Sequence, residues 1–282
     1  MDDLVSTQWL ESQLGAADLR ILDATRHHFE PQRSSPEEFE AGHIPGALFL
    51  DMISLVDPSS PVENTAPTAA QFSERMRALG IDKSQRIVLY DESIVKTAMR
   101  AWFLFKAYGL ENVAVLDGGL AKWKAEGRPL AAGTETVAPS DFTASPAPAR
   151  FRAKGDILAN ISSQSEQLID GRGVEHFTGQ DDDPNPEVAA GHIPGSRNVP
   201  FWNLFRPDGT MKDKEELRAL FEEAGVDLTR PAVTSCGSGV VACSLALALR
   251  RLGKEDVALY DGSWTEWGAD PALPREKGPA RP

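Results

Sequence analysis

Cysteine is nearly absent from this chain: 282 residues contain two, Cys236 and Cys243. They stand too close together, on a loop and the segment just after it, to staple a fold as a disulfide. A reducing cytoplasm is therefore the natural setting. No run of apolar residues approaches the ~20 needed to span a bilayer, so a membrane partner is not expected. The N-terminal stretch Met1-Asp2-Asp3-Leu4 lacks the basic-then-apolar layout of a signal peptide. Histidine is also sparse, at five, and no Cys/His cluster has metal-ligand spacing. Neither a metal nor another cofactor is expected. Positive charge is in deficit, with 29 Lys and Arg against 42 Asp and Glu and a net charge of −13. That balance disfavours nucleic acid. An acidic chain that binds a small anion needs local positive groups, which makes individual arginines informative.

What the chain does contain is itself, twice. Gly42-His43-Ile44-Pro45-Gly46 recurs as Gly191-His192-Ile193-Pro194-Gly195. The stretch from Gly80 to Asp91 aligns without gaps on Gly225 to Cys236, and Leu116 to Trp123 aligns on Tyr260 to Trp267. Three matches in one order at nearly one spacing indicate a tandem duplication. Each copy alternates strand and helix patterns. Leu19–Leu22, Arg86–Tyr90 and Val113–Leu116 read as short buried strands, and Val257–Tyr260 is their counterpart in the second copy. Thr68 with Gln71, and Asp213 with Glu216, have the spacing of a helix capping box. Helices are expected over 68–79, 97–108 and 240–252. The fold class is α/β, each copy a mostly parallel sheet with helices on both faces. The expected domains are 1–127 and 155–282. Residues 128–154, rich in Ala, Pro, Ser and Thr, read as a linker, and the proline-rich tail from 271 as irregular.

The chemistry concentrates where a strand meets a helix, at Ser235-Cys236-Gly237-Ser238-Gly239-Val240-Val241. Glycines at 237 and 239 allow backbone angles that other residues avoid, so that successive amides can turn toward one point. A helix start adds unpaired N–H groups and partial positive charge. A thiolate at Cys236 would be stabilised there, with a pKa below that of a free cysteine. Active sites in such sheets lie beyond the carboxyl ends of the strands. Cys243, inside the helix, reads as a small buried hydrophobe. Its recurrence in both copies gives the Gly-His-Ile-Pro-Gly histidine a structural job. Trp123, Trp264 and Trp267 read as packing.

These segments resemble the rhodanese superfamily in its tandem form. Ala41-Gly42-His43-Ile44-Pro45-Gly46-Ala47 is similar to the family's N-terminal signature, and Val257 to Trp267 to its C-terminal one. The resemblance implies two rhodanese-like domains, the second catalytic and the first silent, with Asp91 standing where Cys236 stands in the second. It implies a sulfurtransferase in which Cys236 attacks the outer sulfur of a small anionic donor, 3-mercaptopyruvate or thiosulfate, and carries it as a persulfide. A thiol such as that of thioredoxin, or cyanide, then accepts it. The loop from Cys236 to Val240 is similar to that of the mercaptopyruvate enzymes. Thiosulfate enzymes typically carry a basic pair where this chain has Gly237 and Ser238. The resemblance makes Cys236 the catalytic residue; beside it, the residues themselves offer Ser238 as a hydroxyl donor to the leaving group, the amides of Gly237, Gly239, Val240 and Val241 as the sulfur cradle, and Arg172 and His176 as candidates for binding the donor.

Alternatives stand beside these roles. Ser238 could instead cap the following helix, Arg172 could form a structural ion pair, and His176 could be merely solvated. As an anion anchor, a histidine serves only while protonated, so donor affinity would weaken from about pH 6 to 8. Arg197 is a reserve cation. The mercaptopyruvate enzymes have arginines where this chain has His176 and Asn185, and an aspartate where it has Ile53, two residues after Asp51. That altered shell leaves a second function open: a sulfur-carrier or binding module with little donor turnover. A cysteine phosphatase needs an arginine where this chain has Ala242, which argues against that class.

Overall fold

The computed structural model describes residues 1–183 and 185–280. The chain forms two compact units. One comprises Met1–Pro58, Ala66–Ala147 and Arg206–Met211; the other takes Ser59–Thr65, Pro148–Phe205 and the chain from Lys212 on.

The first unit carries β1 (Leu4–Val5), α1 (Thr7–Gln13), β2 (Leu19–Asp23), α2 (Ser35–Ala41), β3 (Ala47–Phe49), α3 (Ala69–Ala78), β4 (Arg86–Tyr90), α4 (Thr97–Ala107), β5 (Val113–Leu116) and α5 (Gly119–Ala125). The second carries β6 (Phe151–Arg152), α6 (Lys154–Ser163), β7 (Gln167–Asp170), α7 (Val174–Thr178), β8 (Arg197–Asn198), α8 (Lys214–Glu223), β9 (Ala232–Ser235), α9 (Ala242–Arg251), β10 (Val257–Tyr260) and α10 (Ser263–Gly268). Each unit is one five-stranded parallel sheet. The orders are β1-β5-β4-β2-β3 and β6-β10-β9-β7-β8, the same order shifted by one repeat. The duplication therefore extends to topology.

The inner strands are continuous runs such as Val-Ala-Leu-Tyr in β10 and Ala-Val-Thr-Ser in β9, buried along their whole length. Side chains alternate between faces, so continuous burial means both faces of the sheet are covered. The helix behind the central strand is buried almost throughout in each unit: all of α4, and Ala242 to Leu249 of α9. Capping boxes form at Thr68/Gln71 and at Asp213/Glu216.

The repeated histidines do one job twice. His43 Nδ1 lies 2.7 Å from Phe39 O and His192 Nδ1 2.8 Å from Phe177 O. Each ring stacks on the same phenylalanine, at 4.1 and 3.9 Å between centroids. Burial lowers the pKa of His192, which favours the neutral ring that this packing needs. Trp123, Trp264 and Trp267 are buried, and their indole N–H groups donate to Pro129, Ala189 and Pro274 carbonyls.

Residues 128–147 lack regular structure yet lie on the first unit. Phe142 is buried edge-on to Phe72, Arg77 Nε donates to Phe142 O at 2.8 Å, and Ala147 N donates to Ala107 O at 2.8 Å. In the described part of the proline-rich tail, Leu273 is buried and Glu276 forms a bridge with His192. Residues 281 and 282 lie outside the described residues.

Candidate active site

Cys236 follows the last residue of β9, the middle strand of the second sheet. Its neighbours are the ends of β7, where Asp170 pairs with Ser235, and β10, where Leu259 pairs with Thr234. A parallel sheet thus delivers the cysteine to its carboxyl edge between two supporting strands.

The thiol is 1% exposed. The backbone amides of Ala242, Ser238 and Gly239 lie where they favour its charged form. Gly239 sits at φ +76°, the left-handed conformation that lets its amide turn inward. Gly237 does not need its glycine in this way, because a Cβ built there meets nothing within 4 Å. That open space, beside a half-buried Ser238, is the accessible side of the loop.

Two expectations need correction. The loop sequence alone points to a depressed thiol pKa, but burial pushes Cys236 up. The nearby Asp170 carboxylate adds to that, and the three amides oppose it without cancelling it. The residues 237–241 alone suggest that the cradle lies within them, but the strongest opposing amide belongs to Ala242, the first residue of α9. The signal for Ala242 is positional: the first N–H groups of any helix lack intrahelical partners. Val240 is buried, and Gly237 and Val241 are half-buried.

Ser238 does not cap α9. The N-cap residue is Val241, and no side chain caps that end. The first unit shows what a serine does at this position. Asp91, aligned with Cys236, is held at its Oδ2 by the Ser93 N–H (3.3 Å), the Ser93 hydroxyl (2.5 Å) and the Thr97 hydroxyl (3.3 Å). Ser93 aligns with Ser238 and Thr97 with Ala242. The same loop in the first unit therefore closes around a side-chain oxygen at the same point.

Arg172 is held as an internal ion pair. Its Nε and Nη2 donate to Asp170 at 2.7–3.2 Å, Nη2 also donates to Gly191 O at 2.9 Å, and the guanidinium stacks on Trp264 at 4.5 Å. Both partners are largely buried, with side-chain exposures of 9% and 5%. His176 is exposed on α7. Asn185, also exposed, accepts from Glu187 N within its own turn. Arg197 starts β8, but its guanidinium packs on Gly225. With Gln167, Asp227 and Arg230 it lines a cavity of about 600 Å³ at the amino ends of β7 and β9. That is the end opposite Cys236, so Arg197 is not a cation of this site. In the first unit, Asp51 caps the 3-10 turn Met52–Leu55 and Ile53 is 61% exposed.

The rhodanese-like domain family matches residues 6–126 and 154–270. This chain belongs to the rhodanese family. Human 3-mercaptopyruvate sulfurtransferase is 40% identical over 270 residues, 94% of this chain and 91% of its own. The Escherichia coli K12 3-mercaptopyruvate sulfurtransferase is 37% identical, over 96% of this chain and 97% of its own. The crystal structure of SseA from Escherichia coli superposes with a TM-score of 0.86 at 34% identity, covering 94% of this chain and 99% of that one. The tandem rhodanese described here is a sulfurtransferase. Among the described residues of this rhodanese, no helix is long and apolar enough to cross a membrane.

Proposed function

We propose that this rhodanese takes the thiol sulfur of 3-mercaptopyruvate, holds it as the sulfane sulfur of a persulfide on Cys236, and passes it to a thiol. The thiolate of Cys236 attacks the donor sulfur. The donor's carbon–sulfur bond breaks, its electron pair leaves with the carbon as the enolate of pyruvate, and a proton completes pyruvate. An acceptor thiolate, such as that of a thioredoxin-type protein, or cyanide, then attacks the outer sulfur and returns Cys236 as thiolate. Both steps exchange sulfur between nucleophiles, so no external oxidant is needed.

The observation that carries this reading is the seat of Cys236 at the carboxyl end of β9, before the uncapped start of α9, where the Ala242, Ser238 and Gly239 amides favour its charged form. Such donors stabilise the negative charge that appears there in each half-reaction. Ser238, aligned with the Ser93 that holds Asp91, supplies a hydroxyl for the donor or the persulfide. Gly237, Val240 and Val241 shape the wall. His176, exposed on α7, is the side chain free to meet the donor's carboxylate. Arg172 contributes by fixing Asp170 beside the loop. Mercaptopyruvate is favoured over thiosulfate because no basic side chain follows Cys236. The two thiols form no disulfide, which suits a reducing compartment such as the cytoplasm.

Steady-state kcat/KM for mercaptopyruvate and thiosulfate, with a dithiol acceptor, tests the reading. The expected result is turnover with both and a clear preference for mercaptopyruvate. A chain that binds sulfur but turns over neither donor would be a carrier instead.

A further inference from the structure

We propose that Ser263 and Thr265 are positioning residues for sulfur transfer: through bonds to the backbone of Cys236 and Gly237 they aim the Ser238 amide at the reacting sulfur. The proposal rests on the reading that Cys236 carries the sulfur.

Ser263 is fully buried and sits at φ +50°, a conformation in which an L side chain is strained. Such strain persists only where the surroundings enforce it, and it concentrates at functional sites. The duplication supplies a control. The aligned residue of the silent unit is Gly119, at φ +60°, which takes the same backbone turn without strain. A Cβ there would lie 2.3 Å from the Asp91 carbonyl oxygen. The catalytic copy has made room for a side chain that the silent copy cannot hold.

The Ser263 hydroxyl is used to capacity. It donates to Tyr260 O at 2.8 Å and accepts from the Cys236 N–H at 3.1 Å and from the Ser235 hydroxyl at 3.4 Å. One donor and two lone pairs are all a serine has. Thr265 grips the next peptide twice: its N–H and its hydroxyl both donate to Gly237 O, each at 2.8 Å. Between them, Trp264 N donates to Cys236 O at 2.9 Å. The silent copy keeps the equivalent of this last bond, Leu120 N to Asp91 O at 3.0 Å, but has Ala121 in place of Thr265.

Peptide planarity turns these bonds into an aiming device. In a trans peptide the N–H points opposite the preceding C=O. With the Gly237 carbonyl drawn toward α10, the Ser238 N–H must point the other way. That amide is one of those that reach the cysteine sulfur. Neither hydroxyl needs to touch donor or persulfide. The two side chains that distinguish the catalytic turn from the silent one are both spent on the backbone of residues 236 and 237.

The test titrates the thiol by ultraviolet thiolate absorbance, with the Cys236→Ser protein subtracted at each pH. It compares wild type with Thr265→Val, Thr265→Ser and Ser263→Gly, and denaturant unfolding of each reports stability. Losing one hydrogen bond to the loop should leave about three- to tenfold less thiolate at a given pH. Ser263→Gly and Thr265→Val are expected to show this loss with a matching fall in kcat/KM, while Ser263→Gly is at least as stable as wild type. Thr265→Ser should restore both readings. Wild-type titration in both Thr265→Val and Ser263→Gly overturns the proposal, as does a Thr265→Ser variant no better than Thr265→Val. If Ser263→Gly does not fold, the two Thr265 variants decide alone. Turnover by the Cys236→Ser protein would instead remove the underlying reading, a separate result.

Discussion

At the scale of the residue, the site is a balance struck on Cys236. Burial and Asp170 hold the thiol protonated, and three amides favour the thiolate. Because the folded-state pKa is raised, the thiolate fraction is small at neutral pH and grows as pH rises toward it. The first half-reaction should therefore accelerate from about pH 7 to 9, which stopped-flow measurement of pyruvate release at each pH checks. Arg172 is the clearest stability residue. Arg172→Met strands Asp170 in the interior without its partner and should cost about 3–5 kcal/mol in denaturant unfolding. A second buried carboxylate makes the opposite prediction. Asp23 of the first unit has its pKa pushed up to about 6 by burial, against bonds from Thr25. Below about pH 4 both folded and unfolded chains bind its proton; above about pH 6 both release it, and the folded chain bears the full penalty. Asp23→Asn should thus add roughly 2–3 kcal/mol at pH 7 and nothing near pH 4, as thermal melts at the two values would show. Cys236 could be picked out from its glycines and its place before a helix. Ala242 could not, because its contribution is a backbone N–H and carries no side-chain signature.

At the scale of the element, the strands that were legible are those with a β-branched or apolar run bounded by turn residues. β4, β5 and β10 span the residues that the pattern marks. β1, β6 and β8 are two-residue edge strands, too short to show any period. The helix after the cysteine begins at Ala242 rather than 240, since Val240 and Val241 complete the loop. That delay makes Ala242 the first helical residue, so its N–H lacks an intrahelical partner and is left for the sulfur. On the proposed function, the same loop sets donor preference. A side chain at 237 meets open space, so Gly237→Arg with Ser238→Lys should fold normally. It should raise the ratio of kcat/KM for thiosulfate over mercaptopyruvate about tenfold or more, by adding cations beside a dianionic donor. An unchanged ratio would mean that donor choice lies elsewhere.

At the scale of the whole molecule, one unit occurs twice, with Cys236 in one copy and Asp91 at the aligned place in the other. The duplication is visible in sequence because the recurring segments are those whose geometry every copy needs. These are the Gly-His-Ile-Pro-Gly turn with its stacked histidine, and the turn ending in a buried tryptophan. Less visible is how the chain is shared. Arg206–Met211, inside the second repeat, groups with the first unit, where Met211 N donates to Asp117 at 2.8 Å. Short loop segments of this kind carry no periodicity to announce where they settle. The first unit in turn illuminates the second, since its loop holds Asp91 where the other holds Cys236. The claim on which all of this depends is that Cys236 alone accepts sulfur. Intact-protein mass spectrometry after brief exposure to mercaptopyruvate, without acceptor, tests it most directly. Wild type should gain the mass of one sulfur atom and lose it on adding a dithiol, while Cys236→Ser, with Cys243 intact, should gain none. Sulfur loading of the Cys236→Ser protein, or none in the wild type, would contradict the account.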